Sequence, residues 1–316
     1  MIDYDLQKPQ YSPLMQLAIL LMLVSAGFLI GSFVTLGVAS AYLHVPFGKL
    51  HEALENLQDP YLSRLLQFVA TFFIMAIPSC VFARIMNPKP FDYIGFNRAL
   101  NSRQVFLIIG IVFLSLIVGG ALSEVNARIP LPKSAEQYFK GLEDKYYQNV
   151  IAIADMKSLK DYVISLFMIA LLPAIFEEML FRGALQPVMI HLIRNSFLGI
   201  LITSILFSAI HASYYGFLTR LALGLIIGYV FYFSKNLWPA SIIHFLYNAA
   251  GVTQIYMLSR RGLLTRETMN DDSFPVYYGL LAAGALYIIF IFFRKESEMV
   301  LSMFIQRKKN NNEEVF

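Results

Sequence analysis

Charge and cysteine are what this 316-residue chain has least of. Only 15% of its residues are charged, and there is one cysteine and one tryptophan. Ordinary soluble domains are about 25% charged and about 45–50% apolar. Here 57% of the residues are hydrophobic, and they are gathered into runs rather than spread through an enlarged core. A soluble enzyme of this size would lack the charge to coat its surface, and a disordered chain would be far more polar. The formal net charge of +4 is too small and too scattered for nucleic-acid binding. A single thiol, Cys80, excludes an internal disulfide and any CxxC or Cys/His zinc spacing, so a metal site would have to use histidine and carboxylate. Cys80 lies in an apolar run and reads as a small core residue.

The chain does have a series of long apolar runs. A hydrocarbon core about 30 Å thick needs roughly 20 apolar residues per helix, and backbone groups in lipid must be satisfied within the segment, which makes each run helical. Eight candidates meet this description: Leu14–Leu43, Leu65–Ala83, Gln104–Ser123, Tyr162–Phe176, Asn195–Thr219, Leu221–Ser234, Asn236–Ser259 and Ser273–Phe293. The fifth and sixth nearly merge and are divided at Ser213–Gly216, since one helix through both would be too long to span once. The first run resembles a secretory signal with Ala39-Ser40-Ala41 as its cleavage site. It is longer than an apolar region of about 7–15 residues, and its leader mixes Asp3 and Asp5 with Lys8, so it reads as a retained helix. The expected fold is an all-α, polytopic transmembrane bundle of about eight helices.

Eight spans place both termini on one side. Arg84, Lys89, Arg98 and Arg103 come after the second helix, and Arg294, Lys295, Arg307, Lys308 and Lys309 after the eighth, which makes that side cytoplasmic by the positive-inside rule. The connection Glu124–Asp161 is long and mixes both signs of charge. Within it Ser134–Lys160 reads as an exposed amphipathic helix, with Tyr138, Leu142 and Tyr146 at near-helical spacing, capping or rimming the bundle. Two small-xxx-small pairs, Gly27/Gly31 and Gly224/Gly228, permit close helix packing.

Ionisable side chains at bilayer depth cost about 2.5–3.5 kcal/mol each and tend to carry function. One such cluster stands out: Phe176-Glu177-Glu178-Met179-Leu180-Phe181-Arg182-Gly183, in the middle of a helix if that helix runs on to His191. Glu178 and Arg182 are four apart and share a face, so they can pair. Glu177 is turned away by about 100° and needs another partner, as a poised general base does. His211 ends the apolar stretch Phe197–Ile210, and His244 and Asn248 lie four apart on the seventh helix. If the chain turns at Asn195–Ser196, Glu177 and His211 fall at similar depth on antiparallel neighbours, about 27 and 23 Å from the turn at 1.5 Å per residue. His44, His51 and His191 lie in a linker or at a helix end and are expected to be solvated.

Glu177-Glu178-x-x-x-Arg182, Phe207-x-x-x-His211 and His244-x-x-x-Asn248, in this order on apolar helices, resemble the three signature motifs of the CPBP (Abi) intramembrane proteases. That family includes type II CAAX prenyl endopeptidases and bacterial members linked to bacteriocin processing or self-immunity. The resemblance covers about Tyr162–Tyr256 and divides the chain into N-terminal transmembrane helices (1–123), an extramembrane amphipathic connection (124–161), a catalytic core (162–256), and a last helix with a basic cytoplasmic tail (257–316). It implies that Glu177 activates water for attack on a peptide carbonyl, that His211 holds that water or a metal, and that His244 and Asn248 stabilise the oxyanion, with Glu178 and Arg182 in support. Glu177, His211 and His244 could also form a three-ligand zinc site, although no HExxH helix is present. The implied partners are a membrane-associated protein or peptide substrate and the lipid bilayer, with no nucleic acid. The implied location is a cell membrane, read as the bacterial plasma membrane. Two other readings stay open: a non-catalytic binding or immunity protein, and a proton-coupled transporter.

Overall fold

The computed structural model describes residues 11–310 apart from 56, 58, 97–99, 155, 157, 266, 267 and 269–273. The side chains of 145, 146, 149–154, 308 and 309 also lie outside the description. Asp3, Asp5, Lys8, Arg98 and Ser273, and the side chains of Tyr146, Lys308 and Lys309, therefore fall outside it.

The chain is 86% helical, with no strand among the described residues. The long helices are α1 (Pro13–Leu43), α2 (Pro60–Met86), α3 (Ser102–Ala127), α4 (Lys133–Ala154), α5 (Leu159–Ile193), α6 (Ser196–Ala209), α7 (Phe217–Ser234), α8 (Leu237–Arg260) and α9 (Val276–Asn310). Each of the eight apolar runs lies mainly in helix among the described residues, and the amphipathic connection forms α4. Six of these helices are long and apolar enough to cross a membrane: α1, α2, α3, α5, α7 and α9. The molecule is a helical membrane bundle.

Several boundaries differ from the sequence expectation for local reasons. α6 has only 14 residues and is too short to span alone, while polar groups thin the hydropathy of α8. The fourth run's helix continues past Phe176 to Ile193, close to the His191 considered from the sequence, and carries both glutamates in mid-helix. The eighth runs on to Asn310, so the tail to that point is helical. The break after α6 falls at 210–216, which includes the expected Ser213–Gly216 division.

Helix starts obey ordinary capping rules. Asn101 and Ser158 form capping boxes with Gln104 and Asp161, and Ser12, Asp59, Asn195 and Asn236 each accept a first-turn amide. The starts of α2 and α5 are joined by a hydrogen bond from the Tyr61 hydroxyl to Asp161 Oδ1. α5 and α7 are the inner helices. About four-tenths of their apolar windows are buried (39% and 44%), against 17% for the peripheral α1. α3 lies along α9, α6 runs back along α5 and packs on α7, and α8 packs on α5, α7 and α3.

Both glycine pairs lie at close helix approaches. A Cβ at Gly27 would stand 2.4 Å from the Phe73 carbonyl oxygen, and one at Gly228 would stand 2.7 Å from Ile200 Cγ2. Cys80 is partly buried and packs against the main core.

Among the described residues two helices contain π turns, and each turn sits just ahead of a proline. Phe72–Ala76 precedes Pro78, Leu166–Leu171 precedes Pro173, and Met179–Leu185 precedes Pro187. Proline lacks an amide hydrogen, and its ring crowds the carbonyl four residues back. The helix widens to accommodate this, with amides bonding five residues back: Ile77 to Phe72, Leu172 to Phe167 and Gln186 to Phe181.

Candidate active site

The last of these π turns begins immediately after the two glutamates and contains Arg182. It divides their surroundings sharply. Glu178 is fully buried, and its Oε1 accepts from Arg182 Nη1 at 2.9 Å and from His244 Nδ1 at 2.8 Å. Arg182, also fully buried, reaches across to α7, where its Nη2 donates to the Gly224 carbonyl at 3.1 Å. One turn on, Gln186 Nε2 donates to the Gly228 carbonyl at 3.0 Å. The absence of side chains at 224 and 228 lets α7 pack closely on α6, where a Cβ would stand 3.0 Å from Ser204 Cβ and 2.7 Å from Ile200 Cγ2. A guanidinium paired with a carboxylate and bonded to a carbonyl is the form in which buried charge is tolerated.

Glu177 faces the other way. Its Oε2 is buried and has no hydrogen-bond partner among the described residues, and it lies 4.0 Å from His211 Nε2 and 3.8 Å from His244 Nε2. Both imidazoles are oriented through their other nitrogen. His211 Nδ1 meets the Phe207 carbonyl at 2.8 Å, and His244 Nδ1 meets Glu178. With Nδ1 engaged in each case, Nε2 of each ring faces Glu177. His244 is almost wholly buried, whereas the His211 side chain keeps 26% of its surface exposed. His211 is therefore the member of the cluster open to an approaching molecule.

Two further residues belong to this neighbourhood and escaped the sequence reading as site residues. The Phe207 ring is a wall shared by three members. The Arg182 guanidinium carbon stands 4.6 Å from its centroid, and the His211 and His244 rings lie 5.2 and 5.6 Å away. Phe207 was visible only as a motif residue; its contact with a cation on another helix needed the packing. Arg220, near the start of α7, lies within electrostatic reach of Glu177 and His211. Its sequence signal was a lone cation in an apolar run.

Of the expected residues, Glu177, Glu178, Arg182, His211 and His244 are brought together. Asn248 is partly buried one turn beyond His244, and no side-chain hydrogen bond joins it to Glu177, Glu178 or His244. His44 and His51 are exposed as expected. His191 is half-buried, because the turn at Arg194–Asn195 folds α6 back alongside the end of α5.

Among the described residues no group of three or more histidine, cysteine, aspartate and glutamate side chains is disposed to hold a metal ion. Zinc ligands at about 2.0–2.1 Å in tetrahedral array stand about 3.3–3.4 Å apart. The two Oε2–Nε2 separations here, 3.8 and 4.0 Å, are wider. The donor arrangement does not fit a three-ligand zinc centre.

Fold and site together define a multi-pass helical membrane protein with an enclosed carboxylate–imidazole cluster. Residues 159–250 match the model of a family described as Type II CAAX prenyl endopeptidase Rce1-like. The matched stretch runs from the start of α5 into α8 and contains all six candidate residues. It is consistent with the CPBP resemblance and supports intramembrane endopeptidase activity in general terms. No curated protein and no solved structure matches the chain.

Proposed function

We propose that the protein is an intramembrane endopeptidase in which Glu177 is the general base, acting on a membrane-associated protein or peptide. The observation that carries this reading is the Glu177 Oε2 atom, buried without a hydrogen-bond partner and faced by two Nε2 atoms at 3.8 and 4.0 Å. Those distances are too long for direct hydrogen bonds and suit a polar molecule shared between the groups.

A water there gives its proton to Glu177 as its oxygen attacks the peptide carbonyl carbon. His211 orients that water. The oxyanion that forms is met from the α8 side by the Asn248 amide and by the His244 imidazole, which holds on Nε2 a proton taken from solvent before the substrate binds, where fixed dipoles are most effective. The proton taken by Glu177 then passes to the departing amine nitrogen as the C–N bond breaks, leaving a new carboxyl group and a free amine. Glu178 and Arg182 touch no reacting atom in this scheme; they hold His244 and the helix.

The test is cleavage of a panel of membrane-inserted peptides by protein in lipid nanodiscs, with products identified by mass spectrometry. Glu177→Gln should lower turnover by a factor of about 10²–10⁴, the usual contribution of a general base, while the melting temperature stays near that of the wild type. His211→Ala and His244→Ala should each also suppress product. Undiminished cleavage by the Glu177→Gln protein would remove the mechanism.

A further inference from the structure

The exposed imidazole of the cluster is not on a helix. His211 stands in the turn between α6 and α7, and the residue after it, Ala212, has φ +49°. Left-handed backbone is unfavourable for a residue with a Cβ and persists only where the surroundings impose it.

The constraints on this turn come from three helices. Arg220 folds back from the first turn of α7, and its Nη2 donates to the Ser213 carbonyl at 3.0 Å, directly after the strained residue. The guanidinium lies flat against Gly216, so close that a Cβ there would stand 2.5 Å from Nη1 and from Nη2. The Ser213 hydroxyl donates to Glu143 of α4 at 3.0 Å, and Phe139 of α4 stacks on Tyr214 at 4.8 Å between centroids. At the other end the Leu218 amide donates to Asn126 of α3 at 3.0 Å.

We infer that Arg220 is a positioning residue for His211: its guanidinium, seated on Gly216, clamps the 210–216 turn in the strained form that aims Nε2 at Glu177. The inference rests on the proposed use of His211 for its effect on turnover, but not for the geometry it claims. Gly216 is then glycine because its missing side chain is the seat of the guanidinium. Its own φ of −91° is open to any residue.

Two variants break the clamp from opposite sides. Arg220→Leu removes the guanidinium. Gly216→Ala displaces it, and since the first thing its Cβ meets is the mobile end of a side chain, that protein should fold. In each, kcat should fall about 10–100-fold, the scale of an ångström-sized misplacement, with KM within about twofold. The double variant should be no worse than the poorer single one, since both remove the same contact. Ala212→Gly placed on Arg220→Leu should restore much of the lost kcat, because glycine adopts the left-handed conformation without a clamp. A merely structural arginine would not be rescued in this way.

Diethyl pyrocarbonate labelling of His211, with the modified peptide identified by mass spectrometry, reads the same geometry without any substrate. Labelling should be several-fold faster in both single variants than in the wild type. Unchanged labelling in both, or losses in kcat that multiply in the double variant, would overturn the inference. Absence of peptide cleavage by the wild type would instead sink the endopeptidase reading and leave the labelling result to decide the clamp.

Discussion

Two adjacent glutamates differ here in what their oxygens meet. Glu178 gives Oε1 to both Arg182 and His244, has no exposed surface, and keeps its other buried oxygen, Oε2, without a hydrogen-bond partner among the described residues; its ion pair with Arg182 makes it the structural member of the proposed scheme. Glu177 has a buried oxygen aimed at two imidazoles and bonded to neither. Removing one member of a buried ion pair leaves the other charge without compensation and costs about 3–5 kcal/mol. Glu178→Gln should therefore lower stability by about that amount, with a clearly depressed melting temperature in detergent, whereas Glu177→Gln should not. Equal melting temperatures for the two variants would mean that the roles are misassigned. The i, i+4 spacing made the Glu178–Arg182 pair legible in the sequence, because both residues lie on one helix. The bond from His244 to Glu178 was not legible. It joins residues 66 apart in sequence, and nothing local fixes how far α8 slides along α5.

At the scale of the helix, hydropathy revealed where the apolar runs are but not how their faces turn. Each of the π turns in α2 and α5 shifts the register of the residues beyond it, and the Met179–Leu185 turn lies between Glu178 and Gln186. An ideal 3.6-residue repeat still pairs Glu178 with Arg182, yet it misplaces the side chains from Gln186 onward. The prolines at 78, 173 and 187 were the available signal, since a mid-helix proline demands some local departure. The glycines were legible as close-packing sites, and the structure adds what they meet: at 224 and 228 they let α7 lie against Ser204 and Ile200 of α6, while their carbonyls accept from Arg182 and Gln186. A methyl group at Gly228 would meet Ile200 Cγ2 at 2.7 Å and Gln186 Oε1 at 3.0 Å, while one at Gly37 meets nothing within 4 Å. Overpacking of this kind costs about 1–3 kcal/mol. Gly228→Ala should accordingly lower the melting temperature and loosen the active helix, and Gly37→Ala should leave it unchanged. Identical melts for the two would argue that α7 is free to move away.

Over the whole molecule, polar groups from four places in the chain converge: mid-α5, the α6–α7 turn, α7 itself and the second turn of α8. The antiparallel return at Asn195 was enough to predict that Glu177 and His211 share a depth, and their side chains do approach to 4.0 Å. This convergence also bears on whether a metal takes part. Of the carboxylate oxygens and imidazole nitrogens that Glu177, His211 and His244 could offer as donors, one nitrogen of each ring is committed to a protein partner. That leaves one nitrogen per ring and the Glu177 carboxylate, with oxygen-to-nitrogen spans wider than a tetrahedral zinc requires. Closing them onto an ion would mean moving His244, which the buried Glu178–Arg182 pair holds in place. Protein purified in active form should thus carry zinc well below one equivalent, and turnover should survive prolonged chelation. Stoichiometric zinc, together with activity lost to a chelator and restored by adding the metal back, would show that the cluster rearranges around an ion, and would transfer activation of the water from Glu177 to that ion.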